Sequence, residues 1–169
     1  HFHIHLDVGC GGGLMTEELG KLKAKITGLD ASEVLIEVAK QHLAPQAELS
    51  EYVTYICDTI EDHSMKNANK YDAIVCSEVI EHILDKKSFL EACVKCLKPG
   101  GSIFITTLSK TLASFLLNIV WAEYIYGSTT RGTHDFRQFI SPENVTKILK
   151  KFDCETIWVR GMIYYYYED

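Results

Sequence analysis

The sequence lacks an excess of basic residues. It has 17 lysines and arginines against 23 aspartates and glutamates, which gives a net charge of −6. A protein surface that binds nucleic acid must neutralise phosphates with a basic face. The charge balance therefore argues against nucleic acid as the main partner, and it leaves a small ligand open.

The sequence also lacks the cysteine spacing of a zinc site. Its six cysteines are irregularly spaced, and Cys93 and Cys96 form the one CxxC pair. Structural zinc normally takes four ligands, and no second pair is present. We therefore expect free thiols in a reducing compartment.

Two further absences concern the chain as a whole. There is no internal repeat or low-complexity segment, and the chain neither begins with methionine nor opens with a signal peptide. Any targeting sequence would lie outside it. Because 169 residues with 47% hydrophobic residues suit one globular core, we expect a single domain over residues 1–169.

Strand-like and helix-like patterns alternate along the chain. Apolar runs predict strands that begin near residues 2, 23, 52, 71, 101 and 154. Helical patterns predict helices over 14–22, 32–43, 86–97, 111–126 and 141–152, with Ser32 as an N-cap, and the polar stretch 61–70 is interpreted as a surface loop. Such alternation with short connections is typical of an α/β fold with a doubly wound, mainly parallel sheet.

A glycine-rich turn follows the first predicted strand. It runs from Asp7 to Gly13 as DVGCGGG. The nicotinamide fingerprint fails, because Leu14 or Thr16 stands where its third glycine is required. A Walker loop is excluded, since no Gly-Lys-Ser/Thr follows. The turn still stands at the sheet edge where ligands bind in such folds.

The turn is similar to the acid-x-Gly-x-Gly-x-Gly turn of S-adenosylmethionine-dependent methyltransferases. Asp7, Gly9, Gly11 and Gly13 match it in full. Two acids follow later strands in the same order. Asp30 ends the second strand, where an acid can accept hydrogen bonds from ribose hydroxyls. Asp58 follows the third strand and is expected to face the adenine edge.

Longer segments resemble the ubiquinone-biosynthesis O-methyltransferases, a class I, Rossmann-like family. They are LDVGCGGG, TGLDAS, CSEVIEH, LKPGGSIFITT and GTHDFRQFISPE, and the similarity covers about residues 4–161. The resemblance implies O-methylation of a catechol-type polyprenylated intermediate. It also implies cofactor contacts at Gly9, Asp30 and Ser77, and a mitochondrial inner-membrane location on the matrix side if the source is eukaryotic. Otherwise it implies a cytoplasmic, membrane-peripheral protein.

The segment SEVIEH has two interpretations. The resemblance implies a divalent cation held by Glu78, Glu81 and His82, with Mg²⁺ as first choice and Mn²⁺, Zn²⁺ or Fe²⁺ compatible with the same ligands. If the segment starts a helix, these positions share one face. Without a metal, His82 or His134 could take the proton from the substrate directly. The alternative is a solvated helix start.

The apolar stretch 111–126 is predicted to be a helix in an insertion at about 109–127. It is too short to cross a bilayer. It is interpreted either as a lid over the substrate site or as a peripheral membrane contact, and the sequence leaves both open.

The chain departs from the family pattern at its end. Four tyrosines, Tyr164 to Tyr167, stand directly before the last two residues, and we expect the family's final antiparallel strand to be missing or replaced. Two alternative functions therefore stay open. One is a methyltransferase acting on another small molecule. The other is a non-catalytic subunit of a biosynthetic complex that keeps the fold.

Overall fold

The computed structural model describes residues 3–107 and 140–161. Their central feature is a five-stranded sheet in the order β3-β2-β1-β4-β5, in which all neighbouring strands are parallel. The strands are β1 (Ile4–Val8), β2 (Lys25–Asp30), β3 (Val53–Cys57), β4 (Tyr71–Ser77) and β5 (Leu97–Thr106). The helices are α1 (Leu14–Lys21), α2 (Glu33–Leu43), α3 (Ile60–Lys66), α4 (Lys86–Cys96) and α5 (Pro142–Leu149).

The strand register brings the strand ends together. Val8 pairs with Leu29 between β1 and β2, and Ser77 pairs with Thr106 between β4 and β5. Because the strands are parallel, every connection that leaves a carboxyl end emerges at the same sheet edge. Residues far apart in sequence therefore meet there.

Side-chain caps determine where four helices begin. Oxygens of Ser32, Thr59, Asp85 and Ser141 accept hydrogen bonds from backbone amides in the first turns of α2, α3, α4 and α5. Each bond satisfies an amide that has no partner inside its helix. In α5 the cap is followed by proline at the first helical position, where a missing N–H costs nothing.

The helices cover both faces of the sheet. One buried cluster joins the β2–β3 part of the sheet to α2, with Ile26, Ile36 and Tyr55 at its centre. The other joins β1 and β4 to α3 and α4, with Leu6, Ile74 and Leu90 completely buried. This arrangement confirms the predicted doubly wound α/β fold. All six cysteines are free thiols.

Three local predictions are wrong. Residues 61–70 do not form only a loop, because Thr59 caps the short helix α3. β5 begins at Leu97 rather than at residue 101, with a register shift against β4. No strand forms over 154–161, where the backbone has no ladder partner.

The structure does not test the predictions for the insertion and for the end of the chain. The helix over 111–126, the insertion at 109–127 and the final tyrosines lie outside the described residues. Within residues 3–107 and 140–161 there is no antiparallel strand pair and no helix long and apolar enough to cross a membrane.

A buried histidine lies beneath the sheet. His63 on α3 is 3% exposed, and its Nε2 lies 2.8 Å from the hydroxyl of the fully buried Tyr71. Burial lowers the pKa of His63 from its ordinary 6.5, and the charge of Lys70 acts in the same direction. The folded state therefore holds this ring neutral at pH values at which the unfolded chain is already protonated.

The His63 contribution to stability should decrease with acid. The pKa of His63 is lower in the folded state than in the unfolded state. The stabilisation that depends on neutral His63 is therefore fully present above pH 6.5 and is lost as the pH falls below that value. We expect the difference in unfolding free energy between wild type and His63→Gln to shrink from pH 7.5 to pH 5.5 in urea titrations. Tyr71→Phe keeps the His63 imidazole buried, so the unfolding free energy of this variant should depend on pH as that of the wild type does. A pH-independent difference for His63→Gln would contradict this account.

Candidate active site

Three glycines shape the turn between β1 and α1. Gly9, Gly11 and Gly13 all have positive φ, at 71°, 53° and 88°. The amides of Gly9 and Cys10 donate to the Leu29 carbonyl at 2.7 and 3.1 Å, which closes the turn over the end of β2. The left-handed conformation favours glycine at each of these positions.

Crowding distinguishes the three positions. A Cβ on Gly9 would overlap the side chain of Val79, and a Cβ on Gly13 would overlap the hydroxyl of Tyr55. A Cβ on Gly11 would meet nothing within 4 Å. The open side of the turn at Gly11 is therefore free for a ligand, whereas the other two glycines are required by the protein's own packing.

The carboxylate of Asp30 holds the turn. Oδ2 accepts the Gly11 amide at 2.9 Å, and Oδ1 accepts the Ser32 amide at 2.8 Å. Each oxygen keeps a second lone pair, so the group can still accept donors from a ligand. Asp30 thus joins the glycine turn, the end of β2 and the start of α2.

Asp7 is held inside the protein. It is 2% exposed, and its Oδ2 accepts the hydroxyl of the fully buried Thr16 at 2.6 Å. Burial raises the pKa of Asp7, and the Thr16 hydrogen bond opposes that rise. The contact ties β1 to α1 directly beneath the glycine turn.

A pocket of about 230 Å³ opens at this edge. It is lined by Asp7, Gly9, Cys10, Gly12, Leu14, Met15 and Ser77. Its volume is below the roughly 300 Å³ at which drug-sized ligand sites begin. The described residues therefore line a space that would take only part of a cofactor-sized molecule. Ser77 brings the end of β4 into the same pocket as the glycine turn.

Asp58 stands at the tip of β3. Its amide donates to the Asp30 carbonyl at 3.1 Å, so the two acids are on neighbouring strand ends. Its Oδ1 accepts the Thr59 amide at 2.9 Å, and the side chain is partly exposed. The structure thus brings the predicted acids and glycines to one edge.

The helix start predicted for SEVIEH is wrong. Glu78 has a left-handed φ of 55°, and a single 3₁₀ turn covers Ile80–His82. The next α-helix begins only after its cap at Asp85. The three predicted metal ligands therefore do not share a helix face. Glu81 is 5% exposed and points inward, whereas Glu78 and His82 are exposed.

The predicted divalent-cation ligands do not come together. In residues 3–107 and 140–161, no three histidine, cysteine, aspartate or glutamate side chains are grouped so that they could hold a metal ion. The described residues therefore do not fit the cation that the resemblance implied. His134, the other predicted proton acceptor, lies outside them.

The surroundings of Glu78 raise its pKa. Partial loss of hydration raises the pKa of Glu78, although its side chain reaches solvent. The Thr106 hydroxyl opposes this rise, and the negative charge of Glu81 adds to it. The environment of the turn after β4 therefore disfavours the charged form of Glu78.

The sequence did not point to several residues that support the site. Thr16 and Tyr55 hold the glycine turn from below. Thr106 contacts Ser77 and the Glu78 amide, and Thr107 contacts the Glu81 carboxylate. Tyr55 and Thr106 lie in predicted strands, where nothing distinguishes them from core or surface positions. The Thr-Thr pair at the end of β5 was the available signal, because parallel strands end at one edge.

The methyltransferase domain family matches residues 6–105, which contain the glycine turn, Asp30 and the SEVIEH segment. The chain belongs to this family. A mitochondrial ubiquinone biosynthesis O-methyltransferase of Rattus norvegicus is 42% identical over 159 residues, which are 94% of this chain and 46% of that protein. The predicted resemblance to these enzymes is thereby confirmed.

Two further comparisons show how much of the relatives this chain covers and which fold it shares. A ubiquinone biosynthesis O-methyltransferase of Vibrio parahaemolyticus is 40% identical over 94% of this chain and 66% of that protein. The chain thus spans about half to two thirds of these relatives. A solved structure of a putative sarcosine dimethylglycine methyltransferase from Galdieria sulphuraria has a TM-score of 0.71 at 19% identity, over 94% of this chain and 56% of that one. That match supports the class I methyltransferase fold.

Alanine at two glycines should separate crowding from backbone strain. At Gly11 the substituent meets open space, so only the left-handed φ costs energy, about 1–2 kcal/mol. At Gly13 the same cost is increased by overlap with Tyr55. We expect Gly13→Ala to lower the free energy of unfolding more than Gly11→Ala does, measured by urea denaturation. Combining Gly13→Ala with Tyr55→Phe removes the overlapping oxygen and should recover part of the loss. Equal losses for the two single variants would contradict the crowding argument.

Proposed function

We propose that this protein is an S-adenosylmethionine-dependent O-methyltransferase that acts on a catechol-type polyprenylated intermediate of ubiquinone biosynthesis. The observation that carries the proposal is the shared pocket. The glycine turn at Gly9 and the end of β4 at Ser77 line it together. The relatives at about 40% identity, which are named for this reaction, support the substrate class.

The residues present fit the cofactor. Asp30 keeps a free lone pair on each oxygen for ribose hydroxyls, and Asp58 stands on the adjacent strand end for the adenine edge. The open face at Gly11 admits the amino acid end without a Cβ in the way. S-adenosylmethionine supplies an activated methyl group on a sulfonium. The chain's contribution is to hold that group and to exclude other orientations.

The acceptor oxygen must lose a proton before or during methylation. His82 is exposed at the turn that adjoins the pocket, and Glu78 is its exposed neighbour. Either group can accept a proton at this position, and His134 is a third candidate from the sequence. Glu81 is buried, so its role in the proposal is to fix the turn that carries the other two.

A divalent cation has no step in this mechanism, because the described groups do not fit one. Whether Mg²⁺, Mn²⁺ or Zn²⁺ contributes is decided by product formation after chelator treatment and after each metal is restored. Restoration by one metal would support the ligand set implied by resemblance.

The cellular setting follows the relatives. The Rattus norvegicus relative is named as mitochondrial, whereas the Vibrio parahaemolyticus relative is not. We propose a mitochondrial location for a eukaryotic source, at the matrix side of the inner membrane, where a polyprenylated substrate would be available. Peripheral contact through residues 111–126 and membership of a biosynthetic complex belong to the same proposal.

Asp30→Asn should weaken cofactor binding. The amide nitrogen cannot accept a hydrogen bond, so either Gly11 or Ser32 loses its partner and one ribose acceptor disappears. We expect the Kd for S-adenosylmethionine in calorimetric titration to rise about tenfold or more, equivalent to about 1.4 kcal/mol. Asp62→Asn, at an exposed position on α3, is the matched control and should bind as the wild type does. Unchanged binding by Asp30→Asn would contradict the cofactor site.

Glu81→Ala should abolish methyl transfer while the fold remains. The buried carboxylate fixes the turn after β4, and no other described residue replaces its contact with Thr107. The measurement is product mass spectrometry with a short-chain prenyl catechol, together with circular dichroism of the variant. Glu91→Ala, an exposed change on α4, should leave product formation intact. A fully active Glu81→Ala enzyme would refute the role of Glu81. A wild type that methylates other phenols and not the prenyl catechol would refute the substrate class.

A further inference from the structure

The end of β5 lies directly beside the turn that carries Glu78 and Glu81. Ser77 and Thr106 are register partners, so the residues that follow each strand emerge side by side. Two consecutive threonines stand at this point, Thr106 as the last residue of β5 and Thr107 directly after it. Thr106 contacts the end of β4 and the Glu78 amide, and Thr107 contacts the Glu81 side chain.

Thr106 holds the backbone of the turn. Its carbonyl accepts the Glu78 amide at 3.0 Å, and its hydroxyl lies 3.1 Å from the Ser77 hydroxyl. The amide contact retains Glu78 in a left-handed conformation that non-glycine residues rarely adopt. The path of the chain into the 3₁₀ turn therefore depends on β5.

Thr107 holds the side chain of Glu81, whereas Thr106 holds the backbone. Its hydroxyl donates to Oε2 of Glu81 at 2.9 Å. Because Glu81 is 5% exposed, water replaces this donor poorly, and a hydrogen bond to a buried carboxylate is both strong and directional. In the described residues, no buried side-chain nitrogen or oxygen lacks a hydrogen-bond partner. The Thr107 contact is therefore part of a fully paired interior.

We infer that Thr107 is a positioning residue for methyl transfer, which orients the Glu81 carboxylate through its hydroxyl and takes no part in binding the cofactor. Thr107 does not line the pocket that holds the glycine turn. Its effect must therefore act through Glu81 and the turn after β4. The inference rests on the proposed function and assigns β5 a part in it.

The test compares Thr107→Val and Thr107→Ser in the protein at its full natural length. Valine keeps the shape and removes the hydroxyl, whereas serine keeps the hydroxyl. We expect Thr107→Val to lower kcat for the prenyl catechol about tenfold or more, as small misplacements of reacting groups do. The Kd for S-adenosylmethionine should stay within about twofold, a change of about 0.4 kcal/mol. Thr107→Ser should recover most of the lost kcat.

The control is Thr146→Val. The Thr146 hydroxyl also makes a side-chain hydrogen bond, with its Oγ1 at 3.1 Å from that of Thr156, but this contact is exposed to solvent and lies away from the turn after β4. It should leave kcat unchanged. If Thr107→Val does not fold, Thr107→Ala replaces it, because the smaller side chain leaves room for water beside Glu81, and the same loss of kcat is expected.

Each outcome decides a separate question. A wild-type kcat for Thr107→Val, or an equal loss for Thr107→Ser, overturns the role of the hydroxyl. A rise in the Kd for S-adenosylmethionine that accounts for the lost activity overturns the separation from the cofactor site. Absence of methylated product from the wild type itself refutes the proposed function. The role in methyl transfer then falls with it, and thermal denaturation tests the remaining claim that Thr107 holds Glu81, which unchanged melting of Thr107→Val would overturn.

Discussion

The contact between the Asp30 carboxylate and the Gly11 amide is the constraint on which the site depends. It exists because β1 and β2 are parallel and in register, so that Val8 and Leu29 finish level with each other. With that register, an acid at the end of one strand reaches the turn after the other. A shift by one residue would turn Asp30 to the opposite face of the sheet and leave the glycine turn without its partner.

Side chains packed beneath the glycine turn restrict its conformation. Tyr55 reaches from β3 to the Gly13 carbonyl at 3.2 Å, and its ring also occupies the space beside Gly28. Glu17, 2% exposed on α1, accepts a hydrogen bond from Gln46 at 2.8 Å and lies 2.9 Å from Nδ1 of His42. These contacts hold α1 against β3 and against the end of α2. The turn can therefore be open to a ligand on one side because it is rigid on the other.

The pattern of the sequence was sufficient for the features set by periodicity and by the parallel sheet. The first four strands and the cap at Ser32 follow from apolar runs and from a serine before a helical pattern, and the meeting of Gly11, Asp30 and Asp58 follows from parallel topology. Helix α3 was missed because its stretch is mostly polar, although Thr59 followed by Asp62 is a usable start signal. The start of β5 was missed because Pro99 and Gly100 are typical of a break, and here the strand accommodates them through a register shift.

The turn after β4 could not be predicted for a different reason. Helical spacing would have put Glu78, Glu81 and His82 on one face, but Glu78 takes a positive φ that no propensity favours. Its conformation is imposed by the Thr106 carbonyl, 28 residues away along the chain, and only a folded sheet brings that group near. A motif spacing gives the identity of the chemical groups in such a turn, whereas their direction depends on tertiary contacts.

The two halves of the site are therefore held by different means. The half at the glycine turn is fixed by backbone geometry, with glycine φ values, carbonyl contacts and one carboxylate that bridges two amides. The half that follows β4 is fixed by the Thr106 carbonyl and also by a side-chain hydroxyl, that of Thr107, which directly follows β5. Side-chain contacts can change by single substitutions without disturbing the sheet, whereas backbone contacts cannot. The match to a solved methyltransferase at 19% identity shows that the fold itself persists when most side chains differ, so a contact made by one side chain is a weaker constraint than the sheet that carries it.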